Sequence, residues 1–91
     1  MVFIKFSSAL NNVTGTRATT IELGEATIKE LVERLVTEYG RDFETLMLEN
    51  GEIRRFINVY VNGEDIRHLS GIDTKITNND EVSVLPAISG G

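Results

Sequence analysis

The chain closes on "LPAISGG", residues 85 to 91, and its last two residues, Gly90 and Gly91, carry no side chain. With glycine near 7% of residues, such a pair should end roughly one chain in 200 by chance, so it invites an explanation without compelling one. A frayed terminus is the bland explanation. The chemical one starts from the α-carboxyl group, whose ordinary pKa of roughly 3.3–3.7 leaves it ionised and a poor electrophile at neutral pH. A partner holding ATP can convert it to a mixed anhydride with AMP if the tail reaches the partner's active site as an extended strand. Side chains obstruct a narrow tunnel, whereas two residues without Cβ allow close backbone approach. Gly90 and Gly91 then form an activated terminus, and the domain behind them is a reagent rather than an enzyme.

The rest of the chain offers no competing constellation. The absence of cysteine excludes disulfides, thiolate metal sites and a cysteine nucleophile, so any sulfur chemistry must use a borrowed atom. His68, the single histidine, sits in "DIRHLSG" and reads as a surface or strand-end residue. One imidazole without thiols makes no zinc site. "VNGED" is a hairpin turn rather than a phosphate loop. The acidic pairs Glu64-Asp65 and Asp80-Glu81 read as solvated turn residues. No bound metal or cofactor is expected, nor a catalytic site of the chain's own.

Ninety-one residues make one domain, with roughly 60–65% of the unfolded surface buried on folding. Apolar residues at 41% and charged residues at 25% are ordinary globular proportions. A net charge of −5 disfavours nucleic acid, which needs clustered cations, and points to a more basic partner surface. No apolar run is long enough for a membrane span. After Met1 the stretch "VFI" is broken by Lys5, too early for a signal peptide, and the expected location is the cytoplasm. The sequon Asn12-Val13-Thr14 is then a chance match.

Those residues need elements to position them. "MVFIKFSS" alternates, with Val2, Ile4 and Phe6 on one face and Phe3, Lys5 and Ser7 on the other, and reads as a strand. "ALNNVTGT" is a turn region, and "RATTIEL" returns as the second strand of a hairpin. Ile28, Leu31, Val32, Leu35, Val36 and Tyr39 then form the stripe of an amphipathic helix. Thr27 and Glu30 have capping-box spacing, and Gly40 stands where a left-handed residue would end the helix. Phe43, Leu46 and Met47 predict a short second helical segment ending near Asn50-Gly51. "RFINVYVNGEDIRHL" is a strand, an Asn62-Gly63 turn and a short returning strand through Ile66. "SGIDTKITNND" connects, with room for one helical turn, and "EVSVLPAI" is the last strand, with Val82 and Val84 inward and Pro86 marking its end or an edge. The expected fold is α+β, a mixed sheet of about five strands on one main helix, with the first and last strands parallel at its centre. Its expected core is Val2, Ile4, Phe6, Ile21, Leu31, Leu35, Val59, Val61, Val82 and Val84.

The second half of the chain resembles the ubiquitin-like sulfur carriers of the MoaD/ThiS family. The resemblance rests on Asn62-Gly63, on Asp80-Glu81-Val82, and on Pro86-Ala87-Ile88-Ser89-Gly90-Gly91, with Ala87 where a second proline is common. "LENGEIRRFINVYVNGEDIRHLSG" is closer to the CysO branch and archaeal relatives than to the shorter MoaD chains. The resemblance implies a β-grasp domain over residues 1–87 and a flexible tail over 88–91. It also implies an E1-like enzyme that adenylates Gly91 with MgATP, a sulfur donor that displaces AMP to leave a thiocarboxylate, and a sulfur-acceptor enzyme. The acceptor would be a large molybdopterin synthase subunit or a cysteine-synthase-like enzyme, and thiamine synthesis is a related route. Archaeal members instead join the activated terminus to lysines. Phe3, Tyr60, Leu85, Pro86 and Ile88, pointing away from the helix or lying just beyond the last strand, are the expected partner-docking residues. A third possibility is a non-covalent binding module with an incidental tail.

Overall fold

The computed structural model describes residues 1–86. Ala87 and the tail expected over residues 88–91, with the boundary between domain and tail, lie outside the described residues. In chain order the elements are β1 (Val2–Phe6), a 3-10 turn (Ser8–Leu10) leading into the single helical turn α1 (Asn11–Thr14), β2 (Ala18–Ile21), β3 (Ala26–Thr27), α2 (Ile28–Tyr39), α3 (Arg41–Met47), β4 (Leu48–Glu49), β5 (Glu52–Ile53), β6 (Ile57–Val61), β7 (Glu64–Asp65), two further 3-10 turns (Ile66–His68 and Gly71–Asp73), β8 (Lys75–Ile76) and β9 (Glu81–Pro86).

Five strands form one mixed sheet in the order β2-β1-β9-β6-β7. β1 pairs antiparallel with β2 and parallel with β9, as the alternation and the order of elements predict. β6 runs antiparallel to β9 and turns through Asn62-Gly63 into β7. Asn62 and Gly63 both have positive φ, 51° and 86°, which a two-residue hairpin turn of this hand requires. Period two sends Val2, Ile4, Phe6, Val59, Val61, Val82 and Val84 to one face, where they are buried with Ile21, Leu31 and Leu35. A mixed sheet wrapped on one main helix in this order is the ubiquitin-like β-grasp fold.

α2 starts where its sequence says it should. Glu30 N–H donates to Thr27 Oγ1 at 3.2 Å, and Thr27 N–H donates to Glu30 Oε1 at 2.9 Å, completing the capping box. The helix stops at Gly40, whose φ of 90° and ψ of −164° lie in a region open essentially to glycine alone, rather than in the left-handed helical region expected there. The chain then redirects into α3, and the rings of Phe6, Tyr39 and Phe43 meet with centroids 5.6–6.2 Å apart, joining β1 to both helices.

Two expectations need correction. The second helix ends at Met47, not at Asn50-Gly51, because that pair is the turn of the β4–β5 hairpin, with φ of 54° and 80°. Residues 75–76, expected as plain connection, form β8 and pair with β3 just ahead of α2. The core is also larger than the alternating stripes suggest. Phe43 and Met47 are buried from the short helix, and Leu10, Ile66 and Ile76 from turns and a two-residue strand, where no periodicity shows.

Leu35 is fully buried and Thr27 caps from the surface, so truncating them should cost different amounts. Leu35→Ala should lower unfolding free energy by about 2–5 kcal/mol, and Thr27→Ala by about 0.5–2 kcal/mol. Urea unfolding of both variants checks the ranking. Equal midpoints would mean that the helix is anchored by its cap rather than its stripe.

Candidate functional site

The site begins where β9 delivers the chain to its end. Gly90, Gly91 and Ile88 lie outside the described residues; Pro86 is the last described residue and the last residue of β9. Pro86 stands opposite Ile57 of β6, and without an N–H it closes the ladder rather than extending it. The other end of β9 is locked by two short motifs far apart in sequence. Asn62 Nδ2 donates to Asp80 Oδ1 at 3.0 Å, Glu81 N–H donates to Asn62 Oδ1 at 2.9 Å, and Asn62 N–H donates to Glu81 O at 2.7 Å. Asp80 also accepts from Thr77 N–H at 2.8 Å. Asp80 is therefore a structural clamp and not a loose turn charge. Asp65 likewise accepts from Arg67 N–H at 2.8 Å and pairs with its guanidinium at 3.6 Å.

The sheet face turned away from α2 carries Phe3 and Lys5 from β1, Glu81, Ser83 and Leu85 from β9, and Asn58 and Tyr60 from β6. Tyr60 is in register with Ser83, and Leu85 with Asn58. That diagonal puts Tyr60 and Leu85 about 7–8 Å apart, within reach of each other's side chains. Phe3 is in register with Glu81, two strands from Tyr60, and the Lys5 Nζ–Glu81 Oε1 pair at 3.7 Å lies between them. Phe3 is exposed, while Tyr60, Leu85 and Pro86 are half-buried. The expected docking residues among those described thus fall in two groups, Phe3 on one side of an ion pair and Tyr60, Leu85 and Pro86 on the other. Phe56, not singled out by sequence, is 48% exposed and directly precedes the partner of Pro86. The alternation of "FINVYV" would have found it, since Phe56, Asn58 and Tyr60 share a phase.

The whole domain and its last residues fall under one family description, ThiS, which matches residues 4–91. The chain belongs to the ThiS family. It is 39% identical over 67 residues to the sulfur carrier protein CysO of Mycobacterium tuberculosis, covering 71% of this chain and 72% of that protein. It is 34% identical over 67 residues to small archaeal modifier protein 3 of Haloferax volcanii, covering 74% and 72%. Among solved structures, a chain in the BexX/CysO complex of Amycolatopsis orientalis superposes with a TM-score of 0.88 at 27% identity over the full length of both chains.

Within this ThiS-family domain the remaining chemistry-bearing side chains do not converge. His68 is exposed on a 3-10 turn. Among the described residues no cluster of His, Asp and Glu is arranged to hold a metal ion, and no helix is long and apolar enough to cross a membrane. What the described residues do bring together is the Asn62–Asp80–Glu81 clamp and the β9 strand it registers. Asn62→Gly deletes the side-chain bonds and frees the positive φ of its Cβ, whereas Asn62→Ala deletes the same bonds and keeps a Cβ in the left-handed region. Asn62→Gly should cost about 1–2 kcal/mol and Asn62→Ala about 1–2 kcal/mol more. Thermal unfolding of the two variants measures both terms, and equal losses would show that backbone conformation plays no part.

Proposed function

We propose that this ThiS-family protein is a sulfur carrier working through the carboxylate of Gly91, in the cytoplasm where ATP is available. An E1-like enzyme would bind the folded domain and take up the tail. The Gly91 carboxylate would attack the α-phosphate of MgATP, releasing pyrophosphate and forming an acyl-adenylate. A sulfur donor would then displace AMP, leaving a terminal thiocarboxylate that passes its sulfur to an acceptor enzyme. That acceptor would be a large molybdopterin synthase subunit, a cysteine-synthase-like enzyme, or the equivalent in thiamine synthesis. The likeness to the sulfur carrier protein CysO supports the carrier reading. No cofactor would reside on the chain; MgATP belongs to the activating partner. The observation carrying this reading is the family match running through Gly90 and Gly91. Tyr60, Leu85 and Pro86, with Phe3 across the ion pair and Ile88 in the tail, would meet the partner, as an apolar surface between half-buried and exposed suits a transient interface.

The likeness to a small archaeal modifier protein favours a second outcome from the same adenylate. A lysine amine would attack in place of sulfur and form an isopeptide bond through Gly91.

Incubation with the E1-like enzyme, MgATP and a sulfur donor should replace one oxygen by sulfur at Gly91, read by intact mass. Deleting Gly91 should abolish the change, because it shortens the reach by about 3.5 Å. Adding a residue after Gly91 should do the same, and equal sulfur uptake by an untrimmed extended variant would defeat the reading. Heavier species linked through Gly91 in cell extracts would mark the modifier outcome. Separately, Tyr60→Asp and Leu85→Asp should weaken binding to the enzyme about tenfold or more if they anchor the interface. Unchanged affinity would remove them from it.

A further inference from the structure

The turn that leads into β6 is built with unusual care for an exposed loop. Ile57 N–H donates to Arg54 O at 3.0 Å and closes the turn, with Arg55 and Phe56 at its corner. Arg54 holds one side: its N–H donates to Met47 O at 2.8 Å, its Nε donates to Thr45 O at 2.8 Å, and its guanidinium pairs with Glu49 at 3.6 Å. Arg67 holds the other side. Its Nη2 donates to Arg55 O and Ile57 O, each at 3.0 Å, and its Nη1 donates to Asn58 Oδ1 at 2.8 Å. Asp65 steadies Arg67 in turn.

Two of three arginines are thus committed to fixing the backbone, and the third is presented by it. The Arg55 side chain makes no hydrogen bond or ion pair with any described residue, and it stands beside an aromatic ring that is 48% exposed. Arg54 and Arg55 are also the chain's only adjacent cations, in a protein of net charge −5. Their place in the fold gives them meaning. The turn abuts Ile57, the register partner of Pro86, so it flanks the point where β9 hands over to the last five residues. Those five residues span at most about 17 Å.

We infer that Arg55 and Phe56 form a positioning pair that seats the base of the tail on the rim of the activating enzyme, in a socket offering a carboxylate beside an apolar surface. The inference rests on the proposed activation of Gly91. A guanidinium selects a carboxylate with directional, paired hydrogen bonds, and an aromatic ring on a stiff turn contributes contact area at small entropic cost. Opposite local charge also orients the encounter. The acidic body draws the domain toward a basic partner, while Arg55 at the exit admits the pose in which the tail faces its tunnel. Arg55 is assigned to capture of the domain and not to the chemical step at Gly91.

The test is ATP–pyrophosphate exchange by the E1-like enzyme, with the full-length carrier as the varied substrate. Arg55→Glu should raise KM for the carrier about tenfold and leave kcat within about twofold, with an unchanged thermal midpoint because the exposed side chain makes no hydrogen bond or ion pair with any described residue. Phe56→Ala should raise KM about five- to tenfold. Arg55→Lys, which keeps the charge and loses the fork, should fall between wild type and Arg55→Glu, and only the cationic forms, wild type and Arg55→Lys, should show KM rising steeply with salt. If wild type is active and Arg55→Glu keeps a wild-type KM, the pairing is overturned and the activation reading stands. A loss confined to kcat also overturns it, placing Arg55 in the chemistry. Absence of exchange with the wild-type carrier overturns the activation reading together with the inference drawn from it.

Discussion

The parallel pairing of β1 with β9 is the constraint on which the rest depends. It joins Phe3 to Glu81 and Phe6 to Val84 across nearly the whole chain. Such a contact carries a large closure cost and no local reward. It is stabilised by what it encloses, since Val82 and Val84 are buried with Val2 and Ile4 between sheet and helix. A final strand is ordinarily where a domain frays. Here it is hydrogen-bonded on both edges, by β1 and by β6. The N-terminus adds to this closure: Met1 NH3⁺ donates to Asn78 Oδ1 at 2.8 Å, and Asn79 N–H donates to Met1 O at 3.0 Å. Whatever follows Pro86 is therefore attached to one of the most enclosed strands in the molecule.

Enclosure alone does not set where the chain leaves. Register does, and a slip of one residue would exchange Val82 and Val84 for Glu81, Ser83 and Leu85 on the core face. The Asn62 clamp forbids that slip, because its amide reads both Asp80 and the Glu81 backbone at once. The two motifs that first suggested a family, Asn62-Gly63 and Asp80-Glu81-Val82, are thus one device in space. Their spacing in sequence hides a shared task, which is to fix the phase of β9.

This explains what was legible in the sequence. Val2, Ile4 and Phe6, or Val59 and Val61, declare themselves by period two, and α2 by its stripe and its Thr27–Glu30 box, because those signals are local. Asn50-Gly51 was ambiguous for a physical reason. The same dipeptide can end a helix or turn a hairpin, and the two-residue strands on either side are too short to show a period. β3 and β8 are hidden likewise, as their pairing depends on α2 being docked. Of the candidate site, Gly90 and Gly91 lie outside the described residues, and their reading rests on the sequence and the family match. The outer face was legible only in part. Alternation assigns Phe3, Tyr60 and Leu85 to one face, but which of them are neighbours depends on the β1–β9–β6 register. That register inserts Lys5 and Glu81 between Phe3 and the other two. The fastening of the Arg54–Ile57 turn was invisible, since it joins Thr45, Glu49, Asp65 and Arg67 from four separate segments.

On the proposed reading, a rigid platform and a bare tail solve opposite halves of one problem. Glycine loses more conformational freedom on ordering than any other residue, so Gly90-Gly91 is costly to hold extended. The same lack of side chains denies Gly90-Gly91 any anchor of their own. The free energy that offsets this ordering has to come from elsewhere, chiefly from the surface of the folded domain. A domain that flexed at β9 would dissipate docking energy in its own rearrangement before any reached the tail. Double-edged pairing of β9, the Asn62 clamp and the braced turn at Arg55 all remove that freedom, at the start, along the length and at the exit of one strand. Sulfur transfer and lysine modification then need no difference in the carrier. They diverge at the adenylate, according to which nucleophile the partner admits to the Gly91 carbonyl.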